Sequence, residues 1–304
     1  MTALSGPARL GQDPRLRPVP WQRMAWVTWR QHRLMLAGVV ALLGVVGLYL
    51  LKTGLDIHHA FAVVTANCPP RCNSRQQAFS ILATRYSSGM PGMILTAGLL
   101  QVVPALIGAF VGAPVLAREF ETGTFRYTWT QGFGRARWAA AKLVLLAVAV
   151  AALAGAFSLL FSWCYGPIIG LPRYSALGST TFDLRGVVLV AWTLAAFAIG
   201  ALAGVLIRRV VPAMAATLAT WTGLALATGL YLRRHYEAPL VTSSHNVAPS
   251  AWVISQWWTR GTQWTSYQPA SRFWTFQFIE GGWLLVLSLL LIATTVWLVR
   301  RRAA

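Results

Sequence analysis

The sequence predicts an all-α membrane protein: six transmembrane helices preceded by an interfacial amphipathic helix, with both termini cytoplasmic. Three observations predict it. The 304 residues are 56% hydrophobic and only 11% charged, with a mean hydropathy of +0.56, whereas an ordinary soluble domain carries about 25% charged residues. Six apolar runs are each long enough to cross about 30 Å of hydrocarbon, which takes roughly 20 helical residues. The basic residues gather at alternate ends of those runs. A soluble enzyme could not cover its surface with so few charges, and a disordered chain needs low hydrophobicity, so both classes are excluded.

The runs are Leu34–Leu55, Met90–Ala117, Leu143–Tyr165, Gly186–Ile207, Val211–Leu232 and Gly282–Val299. None has the form of a cleavable signal peptide, since the first is long and 33 residues with six arginines precede it. Residues 1–19 read as a flexible basic tail, and 20–304 as a single six-span domain.

Before the first run, Pro20–Met35 reads "PWQRMAWVTWRQHRLM". On a helical wheel Trp21, Met24, Ala25, Thr28 and Trp29 share one side, with Arg23 and Arg30 opposite. That pattern predicts an interfacial helix with its bases toward anionic headgroups. The simpler alternative is a positive flank with belt aromatics.

The 26 basic residues outnumber 7 acidic ones, a net charge of +19. Such an excess raises nucleic acid as a partner. Here the bases lie between apolar runs, so topology explains them and no nucleic-acid partner is expected. With the N-terminus inside, 16 basic residues fall in about 66 inner positions against 9 in about 102 outer ones. Arg208-Arg209 and Arg300-Arg301-Arg302 are the sharpest marks of the inner side. Only Lys52 and Lys142 are lysine, a bias that suggests GC-rich coding rather than a chemical need for guanidinium.

The second run would make a helix of about 42 Å, too long for one crossing. Pro104 and Pro114 should kink it. Gly108-xxx-Gly112 and Gly200-xxx-Gly204 place small residues on one helix face, where helices can approach closely. Gln101 is the most polar residue within the second run. It lines a path or bonds across helices.

Several chemistries are missing from the sequence. There is no GxxxxGK[ST] loop to hold ATP phosphates, no Cys/His set with zinc spacing, no HExxH and no GxSxG. No cofactor is expected in this chain. The predicted span interiors hold no Asp, Glu, Lys, Arg or His; Lys52, Asp183 and Glu280 sit at span edges. Ion-coupled carriers commonly need a charge within the bilayer, so this pattern implies that any transport energy comes from another polypeptide.

Cys68 and Cys72 frame "CPPRC" in the first outer loop, where a disulfide can form. A straight polyproline stretch would hold their Cα atoms about 12 Å apart, beyond the roughly 7 Å a disulfide allows, so the loop must turn to close the bond. The alternatives are two free thiols or bonds to another chain. Cys164 reads as packing.

The loop between the second and third runs, from Ala117, reads "AREFETGTFRYTWTQGFGRARWAAAKL". Gly123 can end the preceding helix in the left-handed conformation, and Thr124 can cap a new one. Arg135, Arg137 and Lys142 then open the third span. The expectation is helix, break, short helix, turn, span. A partner pressing on such a piece would move spans two and three together. The alternative is an ordinary charged loop in which Glu119 and Glu121 neutralise neighbouring arginines.

This loop resembles the first cytoplasmic loop of type-2 ABC exporter permeases. The shared pattern is acidic-x-acidic-x-Gly-Thr, then Arg, then Lys: Glu119, Glu121, Gly123, Thr124, Arg135 and Lys142 here. "WVTWRQHRLML" from Trp26 resembles the opening of such permeases from GC-rich bacteria. The segment from Tyr267, ending in "WLVRRR", resembles their closing span. The resemblance runs from about Trp21 onward.

It implies a non-catalytic half-transporter in the cell membrane. Two six-span subunits, identical or different, would pair in the lipid bilayer. Each would rest on a separate ATP-binding subunit that carries ATP and Mg. In the family the interfacial helix and this loop contact that ATPase, which assigns coupling to Glu119, Glu121, Gly123, Thr124 and Arg135. In the family short re-entrant or surface helices often precede the last span; this chain departs from it with a longer tryptophan-rich stretch, 233–281, whose Trp252, Trp257, Trp258, Trp264 and Trp274 are expected to anchor in the outer interface, the alternative being the lining of a lateral exit for an amphipathic substrate. The rival readings are a secondary carrier, a scaffold for a lipid-modifying enzyme, or a sensor or immunity subunit against a membrane-active antibiotic.

Overall fold

The computed structural model describes residues 21–67, 73–88, 92–123, 135–171, 174–244 and 247–302. The helices are α1 (Trp21–Asn67), α2 (Asn73–Ser88), α3 (Met93–Leu100), α4 (Val103–Ile107), α5 (Pro114–Thr122), α6 (Arg135–Ile169), α7 (Gly186–Ile207), α8 (Val210–Leu230) and α9 (Phe273–Arg302). Among the described residues, five helical stretches are long and apolar enough to cross a membrane: Met93–Thr122, Arg137–Ile169, Gly186–Ile207, Val210–His235 and Ala270–Arg301. The chain is a multi-pass integral membrane protein. The first predicted run lies inside α1, part of whose side chains fall outside the described residues.

α1 is one unbroken helix of 47 residues, about 70 Å long. The expected boundary between an interfacial helix and a first span is absent. The physical reason is local: from Trp21 to Ala37 there is neither glycine nor proline to stop the helix.

The second apolar run breaks where its prolines predict. α3 ends at Leu100, α4 begins with Pro104 in its first turn, and α5 begins with Pro114. Proline lacks an N–H and suits the first turn of a helix. Between α4 and α5, Gly108–Gly112 forms a π-helical turn, in which the Ala113 N–H donates to Gly108 O at 2.9 Å.

This turn is where the two glycine pairs meet. A Cβ on Gly108 would lie 2.5 Å from Ala196 O, and one on Gly112 would lie 2.5 Å from Phe197 O. On α7, a Cβ on Gly200 would strike Gly108 O, and one on Gly204 would lie 2.5 Å from Ala113 O. Both motifs therefore serve one intramolecular contact, backbone against backbone.

α7 is the central helix. The share of its apolar window buried inside the protein is 72%, against 11% for Val210–His235. α9, α6, α8 and the broken second span all pack on it, while α1 lies along α6. One core cluster gathers Val111, Leu116, Leu143, Leu146, Phe197 and Val205 toward the Arg208 end of the bundle. A second gathers Leu50, Ile57, Phe161, Tyr165 and Ile168, and a third joins Phe182, Val188, Trp192, Phe273 and Phe276.

The stretch before the last span is a three-stranded antiparallel sheet rather than short helices. Its strands are β1 (Leu240–Ser243), β2 (Trp252–Thr259) and β3 (Thr262–Gln268), in the order β1-β3-β2. Val253, Ile254, Trp257, Trp258, Trp264 and Tyr267 are β-branched or aromatic, types that favour strands. Arg260 and Gly261 connect β2 to β3 with φ of 49° and 76°, the left-handed pair of a two-residue hairpin turn. α9 then starts at Phe273, nine residues before the predicted run, and Gly281-Gly282 does not interrupt it.

Candidate functional site

At the Arg208 end of the bundle, α5 carries the loop residues singled out by sequence. Residues two apart on a helix point in different directions, and Glu119 and Glu121 reach different neighbours. Glu119 Oε1 forms an ion pair with Lys142 Nζ on α6. Lys142 is buried, and its ammonium also lies 5.3 Å from the centre of the Trp138 ring. Glu119 Oε2 is buried and has no hydrogen-bond partner among the described residues.

Glu121 Oε2 accepts a hydrogen bond of 3.1 Å from the Val210 N–H. Val210 is the first residue of α8, and Arg209 before it contributes no side-chain cap. Glu121 thus supplies from another helix the acceptor that a helix N-terminus lacks, and its charge suits the positive end of the helix dipole. The turn that presents Val210 is tight: Arg208 closes α7 at φ 59°, with its guanidinium 5.8 Å from the Phe120 ring centre. Arg208 and Arg209 are both exposed. α5 is also wedged by small residues, with Ala113 and Ala117 packed against Ala213 of α8.

Gly123 ends α5 in the left-handed conformation, φ 72°, as its position predicts. Thr124 and the expected short helix lie outside the described residues. Arg135 is the first residue of α6, and its side chain lies outside them. Cys68 and Cys72 lie outside them too. Cys164 is buried with a free thiol.

A second polar group occupies the opposite end, beside the sheet, and sequence reasoning missed it. Arg233 lies in a turn of 3-10 helix after α8 and is buried. Its Nε and Nη2 donate to Glu280 Oε2 and Oε1 of α9 at 2.8 and 2.7 Å, a bidentate pair. Nη2 also pairs with Asp183 Oδ1 in the segment before α7. Trp192 Nε1 donates to Glu280 Oε1 at 3.0 Å, and Gln101 Nε2 donates to Asp183 Oδ2 at 3.3 Å. Gln101 therefore bonds across helices, at the break between α3 and α4.

Burial pushes the Asp183 carboxyl up to about 6; Arg233 opposes the rise and Glu280 adds to it. Asp183, Arg233 and Glu280 link the segment before α7, the turn after α8 and α9, and the charge of the three is negative when both acids are ionised. Arg233 lies near the end of the stretch Val210–His235, and Glu280 lies just ahead of the apolar run Gly282–Val299. Glu280 is visible in the sequence as a single acid ahead of a long apolar run, but nothing local points to Arg233, 47 positions away, as its partner.

Among the described residues no three His, Cys, Asp or Glu side chains gather as metal ligands. Both polar sites tie helices together rather than expose a reactive group. No curated protein and no solved structure matches the chain. The family model described as ABC-2 membrane transporter related matches residues 39–233, from within α1 through Arg233 of the ion cluster. With that match covering more than half of its length, the chain belongs to the ABC-2 membrane transporter related family.

Proposed function

We propose that the chain is the permease subunit of an ATP-driven exporter in the cell membrane, coupled through α5 and the loop after it to a separate ATP-binding subunit. Family membership supports a transport role. The observation that carries the coupling reading is the pair of links made by α5: Glu119 to Lys142 of α6, and Glu121 to Val210 of α8. A push on the end of α5 would reach α6, α7 and α8 together. Gly123 provides the break at which a docking segment can turn away from the span. The termini and the Arg208 turn are then cytoplasmic, and a second permease, identical or related, completes the transporter. Hydrolysis in the partner would shift the permease between inward- and outward-facing states with different affinities for cargo.

The test is a mild-detergent purification from native membranes with an ATPase assay on the recovered complex. Recovery of an ATP-binding chain, with cargo-stimulated hydrolysis lost in Glu119→Ala/Glu121→Ala, supports the reading. Normal stimulation in that variant removes the coupling assignment, and a chain recovered alone after crosslinking removes the exporter.

One observation favours a second reading, a secondary carrier. Asp183, Arg233 and Glu280 form a cluster of charges around a nearly inaccessible arginine, the kind of group that ion-coupled transport uses. Uptake into vesicles driven by a proton or sodium gradient without nucleotide, abolished by Asp183→Asn, would establish it.

A further inference from the structure

We propose that the β2–β3 hairpin inserts its tip into the headgroup layer of the membrane the chain spans, with Trp257, Trp258 and Trp264 as anchors. Trp257 pairs across the strands with Trp264, so these two share a face of the sheet. Trp258 follows Trp257 and points to the opposite face. All three are exposed, Trp258 most of all at 70%. Sheet that docks on a protein turns one apolar face to its partner and keeps the other polar. This tip shows tryptophan on both faces, which suits a medium that surrounds it.

Within the hairpin the exposed aromatic rings are those toward the tip. At the base of the hairpin Trp252 packs on Phe276, ring centres 6.4 Å apart, and Thr265, Ser266 and Gln268 are buried. Gln268 Nε2 donates to Glu237 O at 2.9 Å, which ties the base to the end of α8. From there β2 reaches about 26 Å at a rise near 3.3 Å per residue. Trp274 and Phe278, exposed and stacked at 6.0 Å on the first turns of α9, continue the aromatic surface along a spanning helix. Tryptophan concentrates where membrane meets water, so this pair marks the interface level at the sheet end.

Charge selects the surface. Residues 238–279 contain no Asp or Glu, and Glu237 is paired with Arg272 at 2.7 Å. Arg260, exposed at the turn, leaves the tip positive and complementary to phospholipid phosphate groups. The occupant is therefore a bilayer surface rather than a basic protein.

The experiment places a spin label at Thr259→Cys in the full chain carrying Cys68→Ser, Cys72→Ser and Cys164→Ala, reconstituted in phosphatidylethanolamine–phosphatidylglycerol vesicles. Collision rates with oxygen and with a water-soluble nickel complex report its depth. The expected result is an oxygen-to-nickel ratio several-fold above that of the same label free in water. Adding Trp257→Ser, Trp258→Ser and Trp264→Ser should return the ratio to the aqueous value. A label fully accessible to nickel before that change overturns the proposal. So does one unaffected by it, or one broadened by a second label at close range, which would mark a contact between copies of the chain. The readout is independent of whether an ATPase binds at the other end.

Discussion

Glu121 on the broken second span caps α8 by accepting the Val210 N–H, a contact between residues 89 positions apart. The acceptor that this helix start lacks locally comes from the helix that sequence singled out for coupling. Exchanging a capping acceptor for alanine costs roughly 0.5–2 kcal/mol. Glu121→Ala should lower the melting temperature of the purified chain accordingly, and Glu121→Gln, which keeps an acceptor, should lose less. Equal losses in both would assign the effect to charge rather than to capping.

Lys142 is nearly inaccessible, and its ammonium faces Glu119. Removing one partner of a buried pair strands the other, at a cost of up to about 3–5 kcal/mol, whereas replacing both by apolar groups is often close to neutral. Lys142→Met should therefore destabilise strongly, and Lys142→Met/Glu119→Leu should recover most of the loss. A double-mutant cycle on thermal unfolding measures this. Additive losses would show that the two side chains do not act as a pair.

At Gly200 even one methyl group meets backbone of the π-turn. Gly200→Ala should push α7 away from Gly108–Gly112 and destabilise by about 1–3 kcal/mol, the usual range for overpacking. Gly223 on α8 has nothing within 4 Å of a built Cβ, so Gly223→Ala should gain roughly 0.5–1 kcal/mol from helix propensity alone. Opposite signs in the two variants, read from unfolding in detergent, are the expected outcome. A neutral Gly200→Ala would mean that the contact is looser than the structure has it.

Asp183 binds its proton more tightly in the fold, near 6, than at its ordinary value of 3.8. A carboxyl raised in this way favours the folded state while protonated, and that contribution is lost as pH rises through about 6. Stability should therefore fall between about pH 4 and pH 7 through this group. Asp183→Asn, which stays neutral, should flatten that part of the profile. An unchanged slope would assign it to another group.

Much of this was legible in the chain itself. Hydropathy and low charge determined a helical membrane protein, and α7 spans the residues predicted from its apolar run. Pro104 and Pro114 determined where the second span breaks, because a missing N–H acts locally. Gly123 determined the end of α5 for the same kind of reason. The hairpin is legible too, in β-branched and aromatic runs flanking Arg260-Gly261, a turn whose left-handed pair is set locally.

Tertiary structure alone decided the partners. Glu119 and Glu121 look equivalent in sequence, yet helical geometry sends one to Lys142 and the other to the Val210 amide. Gly108, Gly112, Gly200 and Gly204 form two similar motifs whose mutual contact depends on how α7 lies against the π-turn. Asp183, Arg233, Glu280 and Gln101 are spread over 180 residues, and only the packing of three helix ends brings them within hydrogen-bonding distance. Local chemistry sets where a helix starts, stops or bends. Which charge meets which is set by the approach of elements far apart in the chain, where burial leaves each polar group no partner but the one packing delivers.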